Sequence, residues 1–324
     1  MELPEPATDF NWSLQRLLSG GDLSFAQTRA AMMAIMAGTV SPVRLAAWLA
    51  AMRVKGETAA EIAGGAAALI EHAVPVPCAD PRAVDIVGTG GDHSGTGNFS
   101  TAAAVVAAGA GLTVAKHGNR SISSRCGSAD VLAALGLNLE ADPAVLAAGL
   151  REDRIAFLFA PKLHPAMRHA TPVRRELAAR TIFNLLGPLA NPARVGRLVI
   201  GVYAPPLCRL MAEACRELGR ERVLVVHTDG LDELAPCGIA EICELRNGQL
   251  HEYRLDPQEL GLPRCRREDL AGGDAAANAA QLRAILAGTE RGSLRQVVCL
   301  NAAAALVVTE AAPDWPTALR LAEA

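Results

Sequence analysis

The feature that most constrains this chain is an alternation that begins near Val84. Short runs rich in β-branched and large apolar residues recur as AVDIVG (83–88), LTVAKHG (112–118), AFLFA (156–160), RLVIGVY (197–203) and RVLVVHT (222–228). Between the first of them lie Ala/Leu-rich runs at 100–108, 128–135 and 166–177. Strand-like and helix-like segments in alternation predict a mostly parallel sheet covered by helices. Asn247-Gly248, between ICELR and QLHEYRL, predicts a hairpin. The first quarter has no such texture and reads as helices. A run over 10–18 stops at Gly20-Gly21, and Ser24 precedes a run through Met36. Ser41-Pro42 opens a third, to Met52, and a fourth covers 59–72. The expected fold class is α/β, a small N-terminal helical domain followed by a large α/β domain, with the boundary between Pro75 and Pro81.

Composition narrows the function classes. The 324 residues are 51% hydrophobic with a net charge of −3, which excludes disorder as the main state and argues against a general nucleic-acid binder. The longest apolar run, Thr101 to Ala115, is Ala/Gly-rich and too short to span a bilayer. The acidic, Pro-containing N-terminus is unlike a signal peptide. The eight cysteines show neither C-x-x-C pairing nor zinc spacing, so reduced thiols are expected. A soluble, cytoplasmic protein is expected, with no membrane and no nucleic acid among its partners.

Four segments carry candidate chemistry. Gly88-Thr89-Gly90-Gly91-Asp92 follows a strand-like run directly. Its glycines permit positive φ and close backbone approach, and their amides can converge on an anion. Asp92 repels a bare phosphate and suits a sugar hydroxyl or a metal-bound water. A turn that merely requires glycine has the same composition, so both readings stand. Ser100 and Thr101 open the next helical run, where amides and dipole attract anions; an ordinary cap looks alike. Lys116 to Ser124 places two cations, a His, an Asn and several hydroxyls at a strand end, where ligands bind in open α/β sheets. Lys116 there can neutralise phosphate as a point charge, and Ser128 is the expected cap of the following helix. Asp229, Asp232 and Glu233 follow the strand RVLVVHT, and carboxylates at a strand end suit magnesium bridging to substrate phosphates. A plain acidic turn remains open for that segment alone.

Assembled, these stretches resemble the anthranilate phosphoribosyltransferase family. The likeness is carried by GTGGD (88–92), NFST (98–101), KHGNRSISS (116–124), GSAD (127–130), FAPKLHPAM (159–167), PVRRELAARTIFNLLGPLANP (172–192) and DGLDE (229–233). It implies a nucleoside phosphorylase/phosphoribosyltransferase-like fold. The helical domain would span 1–75, joined by helices from about 166–190, and the α/β domain 76–324, with the active site between them. It also implies a homodimer formed through the helical domains. The reaction implied is transfer of the phosphoribosyl group of 5-phosphoribosyl 1-pyrophosphate (PRPP) to anthranilate, giving N-(5-phosphoribosyl)anthranilate and pyrophosphate. That is the second step of tryptophan biosynthesis from chorismate.

By the same resemblance, Gly88, Gly91, Asp92, Thr96, Asn98, Phe99, Ser100, Thr101 and Ser128 hold PRPP. So do Lys116, His117, Gly118, Asn119, Arg120, Ser121, Ile122, Ser123 and Ser124. Ser100, Asp232 and Glu233 bind two Mg2+ per subunit, with Lys116, Asp232 and Glu233 as the catalytic groups. Asn119 and Arg174 contact anthranilate, and His117, Ala160, Pro161, His164 and Gly187 line its channel. A guanidinium such as Arg174 can pair bidentately with the anthranilate carboxylate. The chain departs from the family pattern at several points. Phe99 replaces an isoleucine, Gly97 stands where Phe is common, Ala178 replaces a glycine, the segment before Asp232 is a residue shorter, and a usual terminal helix is missing. A paralogue with another acceptor, a nucleoside phosphorylase and a non-catalytic nucleic-acid binder rank lower. Asn119, His164, Arg174 and Gly187 remain, and so do Asp92, Asp232 and Glu233.

Overall fold

Four helices precede the first strand: α1 (Phe10–Leu18), α2 (Phe25–Met36), α3 (Pro42–Lys55) and α4 (Ala59–Glu71). They belong to a computed structural model that describes residues 9–91, 95–120 and 126–324. Reciprocal capping boxes, Ser24 with Gln27 and Thr58 with Glu61, start α2 and α4. Ser41 occupies the cap position of α3 without a side-chain bond, so Pro42 alone marks that start. Met32, Ile35, Trp48, Leu49, Met52 and Ile62 form the bundle core. Helix α4 is buried nearly all round. A Cβ at Gly64 would strike the Phe25 carbonyl of α2, and one at Gly65 would lie 3.1 Å from Leu186. The two adjacent glycines therefore let α4 press on two different neighbours.

The strands are β1 (Val84–Gly88), β2 (Val114–Gly118), β3 (Ile155–Phe159), β4 (Arg197–Gly201), β5 (Arg222–Thr228), β6 (Ala240–Arg246) and β7 (Gln249–Leu255). They form one sheet in the order β3-β2-β1-β4-β5-β6-β7. The first five are parallel, and β6 and β7 run antiparallel through the Asn247-Gly248 hairpin, where both residues have positive φ. The mostly parallel sheet and the hairpin are as the sequence predicts. Helices α5 (Phe99–Gly109), α6 (Ser128–Ala134), α7 (Pro143–Glu152), α8 (Ala160–Leu163), α9 (Thr171–Leu177) and α10 (Phe183–Leu186) join the first strands. Helices α11 (Pro206–Glu217), α12 (Ala275–Leu286), α13 (Ser293–Val308) and α14 (Trp315–Glu323) complete the cover.

Two local expectations are corrected. The helix expected over 166–177 is broken into a 3-10 turn, Pro165–His169, and α9. Pro165 and Pro172 each lack an N–H and disfavour a helical predecessor, so each begins a new segment. Gly127, not Ser128, caps α6, because the Asp130 carboxylate already takes the Gly127 N–H at 2.9 Å; the Ser128 hydroxyl donates instead to the Asn119 carbonyl. Lys116, His117 and Gly118 complete β2, as the strand-like run 112–118 predicts.

Ala178 closes α9 in the left-handed region, at φ 47°. An L-residue there costs roughly 1–2 kcal/mol relative to glycine, against about 0.4–1 kcal/mol that glycine adds to unfolded-chain entropy. Ala178→Gly is therefore expected to raise stability by about 0.5–1 kcal/mol, read as a higher urea midpoint at unchanged slope. A lower midpoint would contradict the strain.

Candidate active site

The chain winds outward from β1 through β2 to β3, and in the other direction from β4 through β5. A crevice between β1 and β4 at their C-terminal ends is the place where such sheets bind ligands. Glycines face each other there, Gly88 paired with Gly201. A Cβ on Gly201 would land on the Asp232 carbonyl oxygen, and one on Gly88 would strike the Asp232 carboxylate. Both glycines are required by the passage of Asp232 across the strand ends. The tight turn after β5, with Asp229 and Gly230 at positive φ, delivers that segment despite its shortness.

The acidic pair grips backbone amides. Asp232 Oδ2 accepts from the Gly90 N–H at 2.7 Å, and Glu233 Oε1 accepts from the Ser100 N–H at 3.1 Å, at the start of α5. Two separate anion-seeking amides thus hold carboxylates of the chain itself. Gly90 and Gly91 both take positive φ, which aims the turn into the crevice. Arg180 donates to the Gly91 carbonyl and stacks over the Tyr203 ring at 4.0 Å. Asn98 accepts from Asn278 at 2.8 Å and donates to the Cys126 carbonyl at 3.2 Å, so it ties the turn to α12 and to the approach to α6. Thr96 bridges to Ala271.

Lys116 is 4% exposed. Its ammonium donates to the Ile86 carbonyl at 2.7 Å and lies 3.4 Å from the Ser100 hydroxyl. Burial lowers its pKa, opposed by Asp85, Glu233 and Asp232. The charge is a buried one, placed beneath the start of α5. Phe99 and Thr101 at the start of α5 have buried side chains, and Phe99 packs with Ala102, Leu231 and Leu282. A Cβ at Gly97 would lie 3.1 Å from the Phe99 ring, so the larger ring occupies room that a side chain at 97 would need. The two departures from the family pattern compensate in volume.

His117 and His164 form a second group, their rings 5.1 Å apart. His117 Nδ1 contacts the Gly187 carbonyl at 3.2 Å, so that nitrogen carries the proton and Nε2 presents a lone pair. Burial pushes His117 down to about 3 and His164 to about 4, so both are neutral near pH 7. Arg174 lies 4.9 Å over the Phe183 ring, pairs with no carboxylate among the described residues, and has its pKa lowered by burial. Asn119 accepts from Ala129 and Ser128 through its carbonyl, while its side chain takes the Arg120 N–H at 2.7 Å. Arg120 pairs with Asp130 at 2.7 Å. Gly118 is needed because a Cβ there would meet the Ser128 hydroxyl and the Phe157 ring. Asp92, Ser121, Ile122, Ser123 and Ser124 lie outside the described residues.

Comparison with known proteins fits this geometry. Residues 80–324 match the model of a glycosyl transferase family a/b domain, and residues 13–73 match that family's helical bundle domain. An anthranilate phosphoribosyltransferase of Chloroflexus aggregans is 52% identical over 305 residues, covering 94% of this chain and 89% of that protein. The crystal structure of the Thermus thermophilus anthranilate phosphoribosyltransferase superposes with a TM-score of 0.91 at 45% identity, covering 96% of this chain and 93% of that one. The Saccharomyces cerevisiae enzyme in complex with PRPP and Mg gives 0.88 at 27% identity, over 97% and 92% of the two chains. The chain belongs to the anthranilate phosphoribosyltransferase family.

Family membership accounts for the long quoted motifs, but several residues that build this site were not singled out from sequence. They are Asp85, Arg180, Asn191, Gly201 and Asn278. Gly201 had a readable signal, a glycine at the end of an apolar strand, whereas the other four act through contacts distant in sequence.

The buried histidines set a pH dependence. Unfolded imidazoles protonate near pH 6.5, well above the folded values. Between those limits the unfolded chain binds more protons, so stability falls as pH falls. The loss from pH 7 to pH 5 is roughly 2 kcal/mol per imidazole. Asp85 opposes it: burial raises its carboxyl from 3.8 to about 6, so the folded chain gains that proton first. This returns roughly 1 kcal/mol at pH 5. Urea unfolding is expected to show a lower midpoint at pH 5 than at pH 7, with a shallower dependence in His164→Gln. Equal dependence in the two proteins would contradict the buried, neutral imidazole.

Proposed function

We propose that this chain transfers the phosphoribosyl group of PRPP to the amine of anthranilate and releases pyrophosphate, in tryptophan biosynthesis. The observation that carries the reading is the double amide–carboxylate grip at the switch point, Asp232 on Gly90 and Glu233 on Ser100. A diphosphate entering the crevice meets the same amides. The carboxylates it displaces, with the Ser100 hydroxyl, make an all-oxygen set of the kind magnesium takes. The residues fit the metal, and two ions per subunit held by Ser100, Asp232 and Glu233 match the charge of a diphosphate. Magnesium bound there supplies positive charge to the leaving pyrophosphate. The yeast relative solved with PRPP and Mg, and the same enzyme solved with 4-fluoroanthranilate, support donor, metal class and acceptor.

The chain's own residues divide the work. Gly88 and Gly91 admit the diphosphate to the backbone, and the N-terminal amides of α5 hold it. Lys116 contributes a fixed charge beneath Ser100, a preorganised field in a low-dielectric site. Asn119 and Arg174 orient the acceptor, with Arg174 pairing to its carboxylate. Gly118, Arg120 and Ser128 bind the donor, and the family resemblance adds Ser121 to Ser124. Positive charge develops on the ribose as the amine attacks the anomeric carbon from the face opposite pyrophosphate. An aromatic amine is neutral at pH 7, so no strong general base is demanded. We place the active site between a helical domain (1–75, joined by helices from about 166–190) and an α/β domain (76–324). We further propose a cytoplasmic homodimer paired through the helical domains. Among the described residues no helix is long and apolar enough to cross a membrane.

Purified protein with magnesium and PRPP is expected to extinguish anthranilate fluorescence. No loss, together with turnover of another aromatic amine, would assign a different acceptor. Asp232→Ala is expected to reduce turnover by at least 100-fold, and His117→Ala by less. Equal or reversed losses would overturn that ordering.

A further inference from the structure

The sheet is not evenly zipped at its centre. β2 pairs with β3 along Val114–Gly118, and β1 pairs with β4 over its whole length. Between β1 and β2, ladder pairing holds only at Val84 and Val114. Beyond that point, side chains take up the backbone groups that the ladder leaves. The His117 N–H donates to Asp85 Oδ1 at 3.1 Å. The Ile86 carbonyl accepts from Lys116 at 2.7 Å, and the Ala115 carbonyl accepts from Asn191 Nδ2 at 2.7 Å. Asn191 Nδ2 also donates to Asp85 Oδ2 at 2.8 Å, and its Oδ1 takes the Ala193 N–H at 2.8 Å. Asp85 and Asn191 are 0% and 1% exposed.

We propose that Asp85 and Asn191 are positioning residues, a buried wedge that holds β2 away from β1 and so fixes the seat of His117 on the acceptor side. A buried carboxylate is costly unless every lone pair is used, and a continued ladder would satisfy the same backbone groups without one. The wedge is reinforced from outside. Arg220 donates to the carbonyls of Leu189 and Val195 at 2.9 Å each, clamping the segment that carries Asn191 and, upstream, the Gly187 carbonyl on His117. The wedge therefore joins the end of β2 to the 187–193 segment. The amide–carboxylate grip at Gly90, Ser100, Asp232 and Glu233 lies on the β1, α5 and β5 side, and the wedge meets it at Lys116, whose ammonium binds the Ile86 carbonyl and faces the Asp85 charge.

This inference rests on the phosphoribosyl-transfer reading, and the test separates the two. Steady-state KM for anthranilate and for PRPP is measured in the full chain with magnesium, for wild type, Asp85→Asn and Asn191→Ser, well below each melting transition. Asn191→Ser is expected to raise the anthranilate KM at least tenfold and to change the PRPP KM by less than twofold; Asp85→Asn also removes the charge facing Lys116 and is expected to raise the anthranilate KM at least tenfold together with the PRPP KM. If folded Asn191→Ser leaves both values unchanged, or raises both together, the wedge is only structural and the proposal fails. Should Asp85→Asn not fold, Asn191→Ser decides: it removes the bonds to Asp85 and Ala115 and keeps a hydroxyl for Ala193. Absence of wild-type turnover would overturn the function instead. Amide exchange at His117 then tests the wedge: tenfold faster exchange in Asn191→Ser supports it, and unchanged protection overturns it.

Discussion

The structure turns on the close passage of Asp232 over two paired glycines, Gly88 and Gly201. No other residue type leaves room there, because any Cβ at either position meets the crossing segment. That passage sets the acidic turn after β5 against the Gly-rich turn after β1. From it follow the grip of Asp232 on Gly90 and of Glu233 on Ser100, and hence the convergence of two amide clusters on one crevice. The sheet order alone would place a crevice at β1 and β4; the glycines decide what reaches into it.

Charge is handled inside the protein in an unusual density around that crevice. Lys116 and Asp85 are both buried at the middle of the sheet, and each is held by backbone as well as by its opposite. Two neutral imidazoles sit on the other side of β2. A site built this way keeps its field fixed whether or not solvent is near, which is the condition for electrostatic stabilisation of a departing anion. The cost is borne by the fold: Lys116 and Asp85 are met by hydrogen bonds, whereas Nε2 of His117 and of His164 is buried with no hydrogen-bond partner among the described residues.

Much of this was legible in the sequence, and the limits have physical causes. Strands, the Asn247-Gly248 hairpin and the bundle helices depend on local periodicity and turn chemistry, and they emerge where expected. The break in the helix expected over 166–177 is readable from Pro165 and Pro172, which outweigh its Ala/Leu content. Lys116 and His117 read as the end of the strand-like run 112–118, but their burial beside Asp85 and against Gly187 has no local signal. The glycines and the acidic pair were legible as chemistry-bearing types. Arg180 and Asn278 were not, because their partners lie 89 and 180 residues away in the chain.

The adjacent glycines of α4 have a broader implication. Gly64 brings the helix onto α2, and Gly65 seats it under Leu186 and Ile182, a few residues before the Gly187 carbonyl that holds His117. A bundle helix and the proposed acceptor wall therefore share one packed joint. On that proposal the N-terminal helices are no detachable module: excising them would strip the support from beneath the Gly187 carbonyl and His117. Grafting a foreign bundle would succeed only if it reproduced that pair of small residues.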